Sequence, residues 1–143
     1  TLLTDALVRS VQRQAGRVLS HEIDPAKPET LVSALAEFLP TGAVQREDAA
    51  AWVAFGAAAS TRPWLAGPYW EALVIMRAWI EDVLADTQQA GLMGTDLSPA
   101  EGARLVTALV NGLALDLLNA PPTEPDEVIG QLRSGLGLVL RGL

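Results

Sequence analysis

Few residues in this chain could do acid–base or metal chemistry, and they are poorly placed for it. His21 is the one histidine. It follows a predicted first helix and precedes "EIDP", a position that fits a surface or helix-capping role rather than catalysis. Asp82 and Asp86 lie four apart on one predicted helix face, but no histidine or second ligand motif accompanies them, so they read as solvated. Glu47 and Asp48 open a predicted helix, where carboxylates suit the positive end of the macrodipole. There is no cysteine, which excludes disulfide frameworks, thiolate metal sites and thiol catalysis together. Gly-x-Ser-x-Gly elbows, His-Glu-x-x-His helices and phosphate-cradling glycine loops are also missing. No cofactor, metal or catalytic residue is expected, and the chemistry left to the chain is recognition.

The residues that fit recognition are aromatic. All four tryptophans lie between positions 52 and 79. Trp52 and Phe55 share one helix face. Tyr69, Leu73, Met76 and Ile80 form a stripe on the next long helix. Trp70, Val74, Arg77 and Glu81 form a neighbouring stripe, and Trp79 sits on a third side with Ala72 and Ile75. Small-molecule pockets are mostly apolar and aromatic with a few polar groups. Trp52, Phe55, Trp70, Leu73 and Met76 are therefore expected to line a pocket, against the plainer reading that they are core. Arg77 and Glu81, four apart, could orient a ligand as a polar pair, but the favoured reading is an exposed ion pair. Asn111 lies inside an apolar run and needs a partner if buried. It could set a dimer register or touch a ligand.

The elements that must position these residues are helices. Period-two alternation is absent, and proline and glycine divide the chain into about six helical segments. The expected spans are about 2–20, 28–39, 46–60, 68–90, a fifth from "SPAE" to about 118, and a sixth from "TEPDE" to the end. Ser98 is a natural N-cap, with Pro99 at the first helical position and Glu101 completing a capping box. Thr123 and Asp126 repeat that pattern less well. Gly91 and Gly94 can take the left-handed conformation that ends a helix. The linkers are short, so the expectation is one compact all-α domain over 1–143.

Size and composition agree. A chain of 143 residues buries roughly 68–70% of its unfolded surface and needs no staple. Half of it is hydrophobic and the mean hydropathy is +0.25, a surplus that points to a partner subunit or an apolar ligand. The net charge of -7 and the scattered basic residues argue against a nucleic-acid or anionic-membrane patch in this segment. No run reaches the roughly 18 uncharged residues of a membrane span, and the first residues lack a signal-peptide layout. A cytoplasmic protein is expected.

The run "LVTALVNGLAL" (105–115) carries no charge. A helix apolar nearly all round is buried on more than one side. Ala108 and Gly112 form a small stripe that lets another backbone approach. The last segment carries Leu132, Leu136, Val139 and Leu140 on one stripe. Together these predict a homodimer in which each subunit gives its last two helices to a four-helix interface, built on Leu105, Ala108, Leu109, Gly112, Leu132, Leu136, Val139 and Leu140.

Three stretches resemble the C-terminal regulatory domain of the TetR family of bacterial transcriptional repressors. "AAAWVAFGAAASTRPWL" (49–65) is similar to the family's sixth helix through Trp52 and Phe55. "WEALVIMRAWIEDVLADTQQAGLM" (70–93) resembles its long seventh helix with the Gln88-to-Gly91 exit. "LSPAEGARLVTALVNGLALDLL" (97–118) resembles its eighth, with Gly112 to Ala114 at the core. The resemblance covers essentially the whole chain. It implies a domain that binds a small, apolar or aromatic effector among its first four helices and dimerises. DNA would be reached only through an N-terminal helix-turn-helix unit, since "TLLTDAL" resembles the connecting fourth helix that follows it. The rival expectations are a helical dimerisation module without ligand and a small helical enzyme.

Overall fold

In the computed structural model, which describes residues 2–143, the first helix, α1 (Leu2–Leu19), buries Leu7, Ser10, Gln14 and Val18. These are three or four apart, as one helix face requires. Two of the four are polar, and both matter below. Pro25 and Pro28 interrupt the chain. α2 (Glu29–Leu35) follows and tightens into a single 3-10 turn, Ala36–Phe38, before Pro40. α3 (Ala43–Ala59), α4 (Pro63–Gln89), α5 (Pro99–Asn119) and α6 (Pro125–Leu136) complete the domain. The all-α expectation of six helices holds among the described residues.

Three boundaries differ from the sequence reading. α3 starts at Ala43, which moves Glu47 and Asp48 out of its first turn, so the dipole does not explain them. α4 begins at Pro63 and runs through Pro68. The sequence reading placed a break there, but a proline so near a helix start removes only one intrahelical bond, the one to the carbonyl of residue 64. α6 stops at Leu136, where the glycine-rich tail turns back. Leu140 there forms an isolated antiparallel bridge with Met93, and the Arg141 N–H donates to the Leu92 carbonyl at 2.8 Å.

The caps follow local chemistry. At α5 the Glu101 N–H donates to Ser98 Oγ at 3.1 Å, and that hydroxyl donates to Glu101 Oε1. The cap proposed at Thr123 is not made: Glu124 is the N-cap residue, and the Thr123 hydroxyl donates to the Pro121 carbonyl. α4 ends at Gly91, φ +80°. Leu92 N–H donates to the Thr87 carbonyl and Gly91 N–H to that of Gln88, the paired bonds of a Schellman ending that a left-handed glycine allows.

Two apolar clusters hold the helices. The larger joins α2, the 3-10 turn, α4, α5 and α6 through Leu31, Leu35, Leu39, Ile80, Leu84, Val106, Val110, Leu132 and Leu136. The smaller joins α1, α3 and α4 through Leu7, Trp52, Phe55, Ala59, Leu65 and Leu73. Met76 packs against both. α5 lies against α3, α4 and α6, which accounts for much of its uncharged run. α1 and α4 both rest on α3 but are not closely packed on each other. The space between them is the candidate site.

Candidate ligand site

α3 supplies the anchor from which the site is built. The Trp52 ring stacks on Tyr69 with centroids 4.7 Å apart, and Phe55 meets both edge-on at 6.2 and 5.4 Å. Tyr69 can lie so close because Gly56 has no side chain; a Cβ there would stand 3.1 Å from the ring. Burial pushes the Tyr69 phenol up, against a smaller opposing effect of Arg77. The Trp52 indole N–H donates to Asn111 Oδ1 at 2.9 Å. Asn111 thus has a partner within its own chain, and the bond ties α5 to the aromatic group.

Trp52 forms part of the wall of a cavity of about 460 Å³ between α1, α3, α4 and the 3-10 turn. α1 contributes Val11, Gln12, Gln14, Ala15, Val18 and Leu19; α4 contributes Ala72, Ile75, Met76 and Trp79; Phe38 completes it. The short side chains of Ala15 and Ala72 face space that larger residues would fill. No charged side chain lines it. Gln14 is only 3% exposed, and its Nε2 has no hydrogen-bond partner.

α1 is fixed by a polar latch on α3. Asp48 has a fully buried side chain. It accepts hydrogen bonds from Ser10 Oγ at 2.7 Å, Arg13 Nη2 at 2.8 Å and Arg17 Nη1 at 2.7 Å. Burial pushes the carboxyl up, but the bonds from Ser10, Arg17 and Arg13 outweigh it and hold it below the usual range. Glu37 extends the network. It lies 2.8 Å from His21 Nε2, 3.6 Å from Arg17 Nε and 3.2 Å from Gln45 Nε2. Burial raises its carboxyl as well, and the bonds from His21 and Gln45 reverse that. His21 is therefore a strut between the end of α1 and the 3-10 turn.

Of the five residues expected to line a pocket, Trp52 and Met76 do so. Phe55 and Leu73 are buried in the adjoining cluster. Trp70 is 57% exposed with the Arg77 guanidinium 5.4 Å over its ring, so it lies outside the cavity. Arg77 makes that contact instead of the expected ion pair with Glu81, because the face of an indole attracts a cation. Trp79, with Ala72 and Ile75, is the stripe that does line the cavity, and the α1 wall was not foreseen. A glutamine set between Val11 and Val18 on the buried line of α1 was the available signal. Asp82 and Asp86 are exposed, as expected. Among the described residues no group of three or more His, Asp or Glu is arranged to hold a metal ion.

The residues expected at a dimer interface fall on two sides. Leu105, Ala108 and Gly112 form an exposed line on α5, continued by Leu115, and Leu109 beside them is half-buried. Leu132 and Leu136 are 0% exposed and Leu140 is buried with them in the chain's own core; Val139 is half-buried. That stripe of the last segment seals this chain and leaves little surface for a second one.

The all-α arrangement matches the C-terminal domains of TetR-type transcriptional regulators. Residues 28–141 match the family described as BetI-type transcriptional repressor, C-terminal, and the chain belongs to that family. A transcriptional regulator from Rhodococcus sp. Rha1 superposes with a TM-score of 0.82 at 26% identity, over 99% of this chain and 74% of that one. A second structure, described as a TetR-family regulator from Rhodococcus sp., gives 0.82 at 21% identity over 97% and 73%. A third, described as a transcriptional regulator from Saccharomonospora viridis in complex with choline, gives 0.81 at 21% over 98% and 74%. The last two share the fold. No curated protein matches the chain. No helix among the described residues is long and apolar enough to cross a membrane.

Proposed function

We propose that this domain senses a small, apolar or aromatic effector in the cavity between α1, α3 and α4. It dimerises, and through the dimer it controls DNA binding by a helix-turn-helix unit carried outside these residues, in the bacterial cytoplasm. The observation that carries the reading is the cavity itself: about 460 Å³ lies within the usual range for ligand sites, as does its apolar and aromatic lining. α1 forms one wall and is also the segment that resembles the connection to the DNA-binding unit. A ligand that prefers one placement of α1 shifts the equilibrium by its differential affinity, typically about 1–3 kcal/mol.

For the dimer, the support is the exposed line Leu105, Ala108, Gly112 and Leu115 on α5, whose two leucines are 54% and 49% exposed. A two-fold axis would pair this face with the same face of a second copy.

Titration of the tryptophan fluorescence with a library of apolar and aromatic compounds tests the sensing. Wild type should respond, and Ala72→Leu, which fills the cavity, should not. Indifference of wild type across the library would leave a dimerisation module without ligand. One specific observation favours a cationic alternative. Phe38, Trp52 and Trp79 all line the cavity, aromatic faces receive quaternary ammonium groups, and a structural neighbour was solved with choline. No carboxylate lines the cavity to balance such a charge, so the neutral effector is preferred. Choline belongs in the same titration.

A further inference from the structure

Gln14 stands out among all the cavity-lining residues. It is a polar side chain, nearly wholly buried, in a wall that is otherwise apolar apart from the exposed Gln12. Among the described residues, the other polar side chains buried as completely are bonded. Ser10 donates to Asp48, Thr87 to the Val83 carbonyl and Thr107 to that of Ala103. Asp48 accepts three bonds. Of the buried donors left without an acceptor, the Gln14 amide is the one that lines the cavity; the others, Arg17 Nε and Nη2 and Arg77 Nε, belong to guanidiniums engaged with Asp48, Glu37 and the Trp70 ring. Buried polar groups are nearly always satisfied, and a donor left bare is costly. Leucine or methionine at this place would serve the core better.

We infer that Gln14 is the polar anchor of the ligand site. Its amide donates to an oxygen of the effector, which is therefore a neutral, largely apolar molecule carrying a hydrogen-bond acceptor such as a ketone, ester or lactone carbonyl. The rest of the wall supplies no charge to balance an ion. Apart from the solvent-exposed Gln12 it supplies aromatic and aliphatic surface for the remainder of the molecule, so the buried donor for an oxygen is one side chain. This assignment rests on the ligand-sensing reading of the cavity and refines it.

The test compares two probes of nearly equal shape, methyl naphthyl ketone and isopropylnaphthalene, by calorimetry on the chain as it stands. An apolar cavity without an anchor prefers the hydrocarbon. With the anchor, wild type binds the ketone more tightly, by about three- to tenfold, the range of one net hydrogen bond. Gln14→Met keeps the length of the side chain and removes the donor. It should bring the ratio to one or below and raise the melting temperature, because it also removes an unsatisfied group. A packing role for Gln14 would instead weaken both probes alike and leave the ratio unchanged. Were Gln14→Met to fold poorly, the wild-type ratio still decides.

If both probes bind wild type with equal affinity, or the hydrocarbon binds better, the anchor is overturned while the cavity reading stands. Choline binding more tightly than the ketone and indifferent to Gln14→Met also overturns it. If wild type binds none of the three, the ligand-sensing reading falls and takes the anchor with it.

Discussion

Replacing Asp48 by asparagine keeps the shape of the side chain and removes its charge. The structure sets the scale of the effect. The carboxylate is wholly buried and takes bonds of 2.7, 2.8 and 2.7 Å from Ser10, Arg13 and Arg17. Arg17 is mostly buried as well, so the substitution strands a largely desolvated guanidinium. Breaking a buried pair by removing one partner costs about 3–5 kcal/mol. Asparagine retains one acceptor oxygen, which places Asp48→Asn near the lower end, about 3 kcal/mol. For a domain of this size that is a fall of roughly 10 °C in melting temperature. The pH profile supplies a second readout. The folded carboxyl titrates below its unfolded value, so its contribution is whole above the ordinary carboxylate range. It fades as the pH falls through the lower folded value. Wild type should lose its advantage over Asp48→Asn on acidification, the two melting curves converging below about pH 4. The assay is thermal denaturation by circular dichroism across pH. Melting temperatures within a degree or two of each other at neutral pH would refute the reasoning and reduce the latch to a surface contact.

Other substitutions test other parts of the fold. Gly56→Ala gains up to about 1 kcal/mol in helix propensity. It also presses a methyl to 3.1 Å from the Tyr69 ring, which Trp52 and Phe55 hold in place, and such overpacking costs about 1–3 kcal/mol. The expected net result is a destabilised domain with altered tryptophan emission, and a raised melting temperature would show that the aromatic group is loose. Trp52→Phe keeps a ring but leaves Asn111 Oδ1 without its donor. It should cost about 1–3 kcal/mol in denaturant unfolding, and apolar probes should bind more weakly. Leu105→Asp, on the exposed face of α5, should convert a dimer to a monomer in light scattering at unchanged helicity. Leu132→Ala should instead lower stability by about 2–5 kcal/mol with no direct effect on assembly, since its side chain lies in the chain's own core.

The elements were legible in the sequence wherever local chemistry decides them. Ser98, Pro99 and Glu101 mark the start of α5 because capping uses only neighbouring backbone. Gly91 marks the end of α4 because only a left-handed residue closes that turn without strain. The run at 105–115 announced a helix buried on more than one side; it packs against α3, α4 and α6 and leaves Leu105, Ala108, Gly112 and Leu115 exposed. Legibility fails where a residue's meaning depends on what lies opposite. Asp48 reads as an acid suited to the dipole of a helix start, yet it sits five residues into α3, and only the placement of α1 brings Ser10, Arg13 and Arg17 to it. Pro68 reads as a break, and only the earlier start of α4 makes it tolerable. The stripe at Leu132 and Leu136 fits a core and an interface equally, because both bury the same apolar face.

The cavity was half legible for a related reason. Aromatic spacing marks Trp52 and Met76, but three apolar faces of α4 compete for the same role, and periodicity ranks them equally. What separates Trp79 from Trp70 is the far side of the gap, where α1 presents Val11, Gln14, Ala15 and Val18. A packed helix pair would have closed that gap with large side chains. Alanine at positions 15 and 72 leaves it open, and an unsatisfied amide at position 14 gives it an address. Small residues on the walls of one gap and a polar residue set into a buried line each weaken a core. Their occurrence together at one place supports reading the gap as a site rather than a packing defect.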